Sequence, residues 1–356
     1  MKVMSIIGAR PQFIKASPVS KKLRGSGFNE LLVHTGQHYD SNMSDVFFEE
    51  LKIPLPEINL GIGSGSHGWQ TAKMLMALEE LIVEHKPDFI IVYGDTNSTL
   101  AGALAACKAH IPLAHVEAGL RSFNRGMPEE HNRVLTDHCS ELLFCPTKVA
   151  VDNLSREGIE NGVHFVGDTM LDSILEFTPI AERRSTILKE LQVTPKSYYL
   201  LTVHRAYNTD NISNLSNILD ALKAFNKPVI FPVHPRTNAL LNKMEDLETN
   251  RKIHFINPVG YLDMLVLEKY AELILTDSGG VQKEAFFFEV PCVTLRTETE
   301  WLETVNSGWN VVTGAHSQRI IQAVFDIKWP TSKPEKLFGG GDAAFRIVNI
   351  LSQKIN

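Results

Sequence analysis

The chain reads LILTDSGGVQKE at residues 273–284, and this stretch is the most specific indication of its fold. The first residues form a short apolar run, which is typical of a buried parallel strand. A turn containing Ser278, Gly279 and Gly280 leads directly into a helical pattern. Exposed backbone N–H groups at the positive end of such a helix bind phosphate or diphosphate groups. We therefore expect an anion site here, with Glu284 one turn further on accepting hydrogen bonds from ribose hydroxyls. The alternative is that the glycines only allow close strand–helix packing.

The same alternation of apolar run and helical pattern recurs along the chain. The strand-like runs lie at 2–7, 31–35, 89–93, 113–116, 142–145 and 164–166, then at 199–203, 229–233, 253–256, 273–275, 292–295 and 310–312. The helical patterns lie at 17–24, 71–85, 99–109, 133–140, 150–157, 212–226, 261–270 and 280–288. This order predicts an α/β protein with two doubly wound parallel sheets. We place the domains at 1–168 and 169–341, and the pattern alone leaves the helical tail at 342–356 unassigned.

Ligands of open parallel sheets bind beyond the carboxyl ends of the strands, so polar residues at those ends are candidates for function. Asp95 and Glu117 each follow an apolar strand directly. Two neighbouring carboxylates suit proton transfer because their surroundings can separate their pKa values. Capping of the next helix is the alternative role for Asp95. Glu129 opens a helix, where an acid is also favoured by the helix dipole. Arg10 and Lys15 follow the first strand and suit an anionic ligand, or are simply solvated.

Two histidines stand at strand ends in the second half of the chain. His204 and His234 follow the runs at 199–203 and 229–233. Histidine can act as an acid or a base near neutral pH, although most histidines in a protein are only packed or solvated. The spacing of possible ligands does not match a known metal motif, so no metal site is expected.

The composition excludes several classes of protein. Of 356 residues, 44% are hydrophobic and 21% are charged, with a net charge of −6. This balance disfavours binding to nucleic acid, which requires a basic surface. No apolar run reaches about 18 residues, so no membrane span is expected. The four cysteines form no CxxC pair, which favours reduced thiols and a cytoplasmic location. The GxGxxG and GxxxxGK[ST] motifs of nucleotide-binding proteins are both missing from the sequence.

Several short motifs, in order over the whole length, resemble the non-hydrolysing UDP-N-acetylglucosamine 2-epimerase family. The matching segments are Gly8-Ala9-Arg10-Pro11 with Lys15, Thr35-Gly36-Gln37-His38, Gly94-Asp95-Thr96, His115-Val116-Glu117-Ala118-Gly119-Leu120-Arg121, Pro128-Glu129-Glu130 with Asn132-Arg133, His204-Arg205, and the stretch at 275–284. The resemblance implies two Rossmann-like domains facing a cleft in a glycosyltransferase-B-like arrangement, with the closing helix returned to the first domain. It also implies a homodimer that needs neither NAD nor metal.

The resemblance further implies a mechanism and a set of site residues. UDP would leave by anti elimination, giving a 2-acetamidoglucal, and would add again after a proton reaches the other face of C2. The implied acid/base residues are Asp95, Glu117 and Glu129, with His204 as a further catalytic residue. The implied substrate- and UDP-binding positions are Arg10, Lys15, His234, Met264, Ser278, Gly279, Gly280, Glu284 and Arg296.

Departures from the family pattern leave the exact substrate open. Trp301 replaces a family arginine, Met264 replaces an aromatic residue, and the loop at 39–43 differs from that of an effector pocket. The Thr-Glu-Trp stretch at 299–301, the loop at 36–40 and the segment at 283–288 resemble the branch that acts on UDP-2,3-diacetamido-2,3-dideoxy-glucuronate by the same chemistry. UDP-N-acetylglucosamine and that sugar are thus both candidate substrates for surface polysaccharide synthesis. A UDP-sugar glycosyltransferase is a more distant alternative, followed by a noncatalytic nucleotide-sugar sensor.

Overall fold

The computed structural model describes residues 1–37, 54–233, 235–241, 252–332, 334 and 336–354. The chain divides into two compact units, one made of Met1–Glu176 with Lys336–Asn356 and the other of Phe177–Glu335. We name these the first unit and the second unit. Both are built on parallel sheets with helices between the strands, so the expected fold class is confirmed.

The first unit contains a seven-stranded parallel sheet in the order β3-β2-β1-β4-β5-β6-β7. Its strands are β1 (Lys2–Ile7), β2 (Asn29–His34), β3 (Ile58–Asn59), β4 (Phe89–Tyr93), β5 (Leu113–Val116), β6 (Leu142–Cys145) and β7 (Val163–Phe165). The central strands β4 and β5 are buried at every position, as expected for strands covered on both faces. The sequence predicted six of these strands, since the two-residue edge strand β3 is too short to give a periodic signal.

The second unit contains a six-stranded parallel sheet in the order β10-β9-β8-β11-β12-β13. Its strands are β8 (Tyr199–Thr202), β9 (Val229–Pro232), β10 (Ile253–Ile256), β11 (Leu273–Thr276), β12 (Cys292–Thr294) and β13 (Asn310–Val312). In both units the strand order reverses beside the first strand of the unit, which is where ligands of doubly wound sheets bind.

Helices connect the strands in both units. In the first unit they are α1 (Arg10–Gly25), α2 (His67–His85), α3 (Asn97–Lys108), α4 (Pro128–Cys139) and α5 (Lys148–Arg156). The chain passes from the first unit to the second within α6 (Thr169–Arg184). The helices of the second unit are α7 (Ile187–Glu190), α8 (Ala206–Thr209), α9 (Ile212–Leu222), α10 (Pro235–Leu241), α11 (Tyr261–Tyr270), α12 (Gly279–Phe287), α13 (Leu302–Asn306) and α14 (Ser317–Phe325). The last helix is α15 (Ala343–Gln353).

The helix α1 begins seven residues earlier than the pattern at 17–24 predicted, at Arg10. Pro11 occupies its first turn, where a missing N–H costs little. The side chain of Gln12 closes the turn, because its Oε1 accepts hydrogen bonds from the backbone N–H groups of Gly8 (2.8 Å) and Ala9 (3.0 Å). Arg10 therefore stands at a helix start and not in a free turn.

The closing helix α15 belongs to the first unit. Asp172 on α6 accepts hydrogen bonds from the first backbone N–H groups of α15, at Ala343 (3.2 Å) and Ala344 (2.8 Å). The structure divides the chain inside α6, after Glu176, whereas the sequence placed the boundary at 168. The helix is continuous there, so its sequence carries no turn signal that marks the division.

Candidate active site

A buried ion pair joins helix α1 to the end of strand β5. The ammonium group of Lys15 contacts Oε2 of Glu117, and both side chains are nearly buried. Glu117 has a φ of +75°, a left-handed conformation that is unfavourable for a residue with a side chain. Its N–H and that of Ala118 donate to the Phe144 carbonyl (3.0 and 3.1 Å), which stabilises this conformation. Lys15, expected to lie beside bound UDP, thus has a carboxylate partner within the first unit.

Gly94 is the first residue of the loop that follows strand β4, and it lies against this ion pair. A Cβ atom at Gly94 would lie 3.2 Å from Nζ of Lys15 and 3.3 Å from Oε2 of Glu117, and its φ is +63°. A glycine is required here for both reasons. Asp95 is the next residue, so the structure brings the loops of Asp95 and Glu117 together at neighbouring strand ends.

Asp95 is oriented by a buried arginine of helix α4. Oδ2 of Asp95 accepts a hydrogen bond from Nε of Arg133 (3.0 Å), and Nη2 of Arg133 lies 2.9 Å away. The side chain of Asp95 keeps 28% of its surface exposed. The capping alternative for Asp95 is wrong, because the N-cap of α3 is Thr96, whose side chain accepts from the N–H of Thr99 (3.4 Å). The Asp95 carboxylate is thus available for a role outside the helix cap.

The two acids that open helix α4 have different surroundings. Glu130 is buried and accepts hydrogen bonds from the N–H of Ser122 (2.9 Å) and of Phe123 (2.8 Å), as well as from Nη1 of Arg133 (2.7 Å). These contacts give Glu130 a structural role. Glu129 is only half-buried in the first turn of the helix. The predicted acid/base role therefore suits Glu129 better than Glu130.

In the second unit, the stretch at 273–284 folds as strand β11, a turn and helix α12. Ser278 is the N-cap, and its Oγ accepts from the N–H of Val281 (3.4 Å). A Cβ atom at Gly279 would collide with Oε1 of Glu300 and lie 3.3 Å from Nε1 of Trp301. The glycine therefore allows close approach of a second segment, and the half-buried Gly280 continues the helix start. The turn has the form expected of a diphosphate site.

Asp277 organises the loop that carries His204. Its carboxylate is fully buried and accepts from the N–H groups of His204 (3.1 Å) and Arg205 (3.0 Å) and from Nδ2 of Asn208 (3.0 Å). Nδ1 of His204 lies 3.3 Å from Oδ1 of Asp277, while 43% of the His204 side chain remains exposed. This arrangement orients the imidazole and leaves its other edge accessible, as an acid/base residue requires.

Glu284 lies on helix α12 beside two other acidic groups. Burial raises the pKa of Glu268 well above its ordinary value, and the neighbouring Glu284 raises it further. Burial and the same carboxylate raise the pKa of the Tyr261 hydroxyl. Glu284 is itself buried, with 6% of its surface exposed. The two groups next to Glu284 therefore keep their protons more strongly than usual.

Trp301 lies in the segment after strand β12, directly before helix α13. Nζ of Lys283 lies 4.1 Å from the centre of the Trp301 ring, a favourable cation–π distance, and both residues are buried. Arg296 pairs with Glu300 (3.0 Å). Met264 is half-buried on helix α11. A tryptophan is thus compatible with this position because a buried cation covers its ring.

Two expected features lie outside the described residues. These are His234 and the loop at 39–43. Among the residues that the structure does describe, no cluster of His, Cys, Asp or Glu side chains could hold a metal ion. Similarly, no helix in the described part of the chain is long and apolar enough to cross a membrane.

Sequence reasoning gave no role to several charged residues that organise the site. Arg133, Asp277 and Glu268 are examples. Further examples are His115 on strand β5 and its neighbours Asp137 and Arg121. Most of these residues lie in the family motifs of the sequence. A charged residue within an otherwise apolar segment was the one local sign that they have a role. Their partners lie in other elements, so only the folded chain shows their roles.

The family model of UDP-N-acetylglucosamine 2-epimerases matches residues 21–352 of this chain. The chain belongs to that family. The expected membership, and with it the expectation of an enzyme, is confirmed. A UDP-N-acetylglucosamine 2-epimerase homolog of Methanococcus maripaludis is 53% identical over 99% of both chains. A UDP-2,3-diacetamido-2,3-dideoxy-D-glucuronate 2-epimerase of Pseudomonas aeruginosa is 49% identical over 99% of this chain and all of that one.

A solved structure extends the match from sequence to fold. The UDP-GlcNAc 2-epimerase of Methanocaldococcus jannaschii, in complex with UDP-GlcNAc and UDP, superimposes with a TM-score of 0.92 and 48% identity. The match covers 99% of this chain and 100% of that chain. The epimerase family thus accounts for both units.

Proposed function

We propose that this epimerase-family chain interconverts UDP-N-acetylglucosamine and UDP-N-acetylmannosamine. The observation that carries the proposal is the pair of strand-end carboxylates, Asp95 and Glu117, each fixed against a buried cation at neighbouring ends of one sheet. Inversion at C2 requires proton removal on one face and proton delivery on the other, which two separately held carboxyl groups can perform.

The proposed reaction eliminates UDP and adds it again. The C2 proton of the sugar has no adjacent carbonyl, so it becomes acidic only as the C1–O bond breaks and positive charge develops. A base removes this proton while UDP leaves on the opposite face, giving 2-acetamidoglucal. Protonation of C2 on the other face and return of UDP to C1 then give the epimer. Neither the elimination nor the addition transfers a hydride, so the proposed route requires no nicotinamide.

We assign the proton-transfer roles to Asp95, Glu117 and Glu129, with His204 as a further catalytic residue. The positive charge of Lys15 lies against the carboxyl group of Glu117 and favours the carboxylate form that a base needs. Arg133 orients Asp95 while leaving part of its carboxylate exposed. The imidazole of His204 is oriented by Asp277 and is well exposed.

We assign UDP to the turn at the start of helix α12. Backbone N–H groups at Ser278, Gly279 and Gly280 would bind the diphosphate, because they meet the positive end of a helix. Glu284 would accept hydrogen bonds from the ribose hydroxyls. The remaining proposed contacts with the UDP-sugar are Arg10, Lys15, His234, Met264 and Arg296.

We also propose that the protein acts as a homodimer that supplies precursors for surface polysaccharides. An exposed apolar stripe on helix α2 supports association: Trp69, Met76 and Val83 are 48%, 59% and 69% exposed and recur every seven residues. Such spacing places them on one face of the helix. Sedimentation equilibrium of the wild type and of a Met76→Glu, Val83→Glu double variant tests this, and a monomeric wild type would contradict it.

A second substrate is favoured by one relative and one local feature. The Pseudomonas aeruginosa relative is named for UDP-2,3-diacetamido-2,3-dideoxy-D-glucuronate, and Trp301 with Lys283 replaces the family pattern beside the turn. This sugar would undergo the same inversion at C2. It is therefore the second substrate to test, and the chemistry would not change.

Proton NMR in heavy water tests the proposal directly. The purified protein is incubated with UDP-GlcNAc without added cofactor, and Glu117→Gln serves as the matched control. We expect deuterium at C2 together with the signals of UDP-ManNAc, and strongly reduced exchange in the control. If the wild type is inactive on UDP-GlcNAc but active on the diacetamido-glucuronate, the second substrate is correct. Release of UDP only with an added acceptor would instead indicate a glycosyltransferase.

A further inference from the structure

A fully buried histidine beneath the proposed acid/base residues has an oxygen atom against each ring nitrogen. His115 lies on strand β5. Its Nε2 is 2.7 Å from the carbonyl oxygen of Gly94, and its Nδ1 is 2.7 Å from Oδ1 of Asp137 on helix α4. A carbonyl oxygen only accepts hydrogen bonds, so Nε2 must carry a proton. The protonation state of the ring then depends on which side of the Nδ1 contact carries the proton.

The surroundings of Asp137 determine the second proton. Its Oδ2 accepts hydrogen bonds from the N–H of Gly119 (3.1 Å) and from Nη1 of Arg121 (2.7 Å). The buried guanidinium of Arg121 lies against Oδ2 and compensates the negative charge of an ionised Asp137 in this buried position. Asp137 is therefore a carboxylate, which can only accept, and the proton of this contact lies on Nδ1 of His115.

The charges around this histidine balance. Arg121 also forms two hydrogen bonds with Glu157, from Nε (2.7 Å) and Nη2 (2.8 Å). Cys145 on the neighbouring strand lies close to Asp137 and Arg121, and burial raises the pKa of its thiol, which stays neutral. Two cations thus face two carboxylates, with the cationic histidine bound between Asp137 and a carbonyl group. A buried charge requires this kind of compensation.

The same contacts connect the two loops that carry the acid/base residues. The carbonyl group bound by His115 belongs to Gly94, the residue before Asp95. The N–H bound by Asp137 belongs to Gly119, two residues after Glu117. Glu117 has a left-handed backbone, which is strained for a residue with a side chain and needs such external support. The pair of His115 and Asp137 therefore fixes the position of one loop relative to the other.

We propose that His115 is a positioning residue, held with a proton on both ring nitrogens between Asp137 and Gly94, which sets the geometry of Asp95 and Glu117. The positioning role rests on the proposed function, whereas the protonation does not. Asp137→Asn is the informative variant. Its amide can donate to Nδ1 of a neutral His115, while its oxygen still accepts from Gly119 and Arg121. The variant thus keeps every hydrogen bond of the pair but removes the charges of residue 137 and His115.

Nitrogen-15 NMR of the histidine-labelled full chain tests the protonation. We expect both His115 ring nitrogens of the wild type to stay protonated at pH 8, and their signals are assigned by their loss in His115→Gln. In Asp137→Asn we expect a neutral ring with its proton on Nε2. A neutral His115 in the wild type at pH 8 overturns the proposal, whether or not the protein is an epimerase.

Kinetics test the positioning. We expect Asp137→Ala to lower kcat by about 100-fold, since displacement of catalytic groups by about 1 Å has this effect, with KM and UDP affinity nearly unchanged. Asp137→Asn should recover most of that loss and stay within about tenfold of the wild type. Equal losses in the two variants, or a kcat unaffected by Asp137→Ala, would contradict positioning by these hydrogen bonds. If Asp137→Ala fails to fold, an Asp137→Asn variant that folds but loses about 100-fold in kcat contradicts it as well.

Discussion

The two units stabilise their buried carboxyl groups in different ways. In the first unit, Glu117 meets Lys15, while Asp95 and Glu130 share Arg133. In the second unit, Glu268 meets another carboxyl group, that of Glu284, and keeps a proton because burial and that neighbour raise its pKa. The first unit therefore holds charged, oriented carboxylates, whereas the second limits the negative charge behind a turn suited to a diphosphate.

This difference follows from what each unit would bind. A base must be ionised and held at a fixed position, which a buried cation provides. A diphosphate brings its own negative charge, so the proton kept by Glu268 reduces the repulsion. The other buried carboxylates at the turn have partners of their own, since Asp277 accepts from backbone N–H groups and Glu300 pairs with Arg296. The contrast can be tested by removing a cation from the first unit or by replacing the protonated Glu268 of the second unit with glutamine.

Removal of Arg133 should have the largest effect on stability. Arg133→Met leaves the buried Glu130 and the partly buried Asp95 without their shared cation. Loss of one partner of a buried ion pair costs about 3–5 kcal/mol, so we expect a fall of that size in the free energy of unfolding. Urea denaturation at pH 7.5 measures it. Arg133→Lys is the matched control and should lose less, and equal losses would show that the charge is unimportant.

Replacement of Glu117 should affect turnover and spare nucleotide binding. Glu117→Gln keeps the shape of the side chain but removes its ability to accept a proton, so we expect kcat to fall by about 100-fold or more. Asp95→Asn should act in the same direction. Calorimetric titration with UDP should give nearly the wild-type affinity for both, because the proposed UDP-binding turn lies in the second unit. Full turnover in both variants would remove these residues from the proposed mechanism.

The sequence was sufficient to predict the carboxylates at the strand ends but not their partners. Asp95 and Glu117 follow continuous apolar runs, and β4 and β5 are indeed neighbours in the sheet. A run of this kind identifies a buried parallel strand from local residues alone. Arg133 and Lys15 reach these acids from helices distant in sequence, so no local pattern could show the pairing.

The misjudged elements have similarly physical causes. Helix α6 was not predicted, and it contains Pro179, a residue that normally interrupts a helical pattern. Glu268 received no role from the sequence, and helix α11 is covered on several sides and buries it completely. Local patterns report a helix and its one apolar face, and they cannot report that a polar residue on the other face is also covered.

Replacing Glu268 by glutamine, which cannot ionise, should make the protein more stable than the wild type at high pH. Because the folded protein raises the pKa of Glu268, the unfolded chain releases this proton first as the pH rises. Stability is therefore lost with increasing pH above the ordinary glutamic acid pKa, and none is lost below it. Glu268→Gln keeps a donor toward Glu284 without this dependence.

We expect the melting temperature of Glu268→Gln to exceed that of the wild type by several degrees at pH 8. The difference should shrink toward pH 4, where both states of the wild type are protonated. Differential scanning fluorimetry across this range measures it, and Glu268→Ala, which removes the donor and leaves a cavity, is the control. A difference that does not depend on pH would mean that Glu268 carries no proton in the folded chain.

Asp172 is the exception within the first unit and should give the smallest effect. Within the described residues its carboxyl group pairs with no Lys or Arg side chain. It accepts hydrogen bonds from the N–H groups of Ala343 and Ala344 at the start of helix α15, while burial raises its pKa to about 6. Stability should therefore fall as the pH rises from about 4 to 6, in the same sense as for Glu268. Asp172→Asn should remove this dependence, but its amide keeps only one of the two acceptor oxygens, so we expect its melting temperature at pH 8 to lie within about 4 °C of the wild type. Asp172→Ala loses both acceptors and should cost about 1 kcal/mol. If the melting temperature of the wild type, measured relative to Asp172→Asn, does not fall from pH 4 to pH 6, the ionised carboxylate is not disfavoured here, and cations are then not needed to hold a buried acid in the first unit.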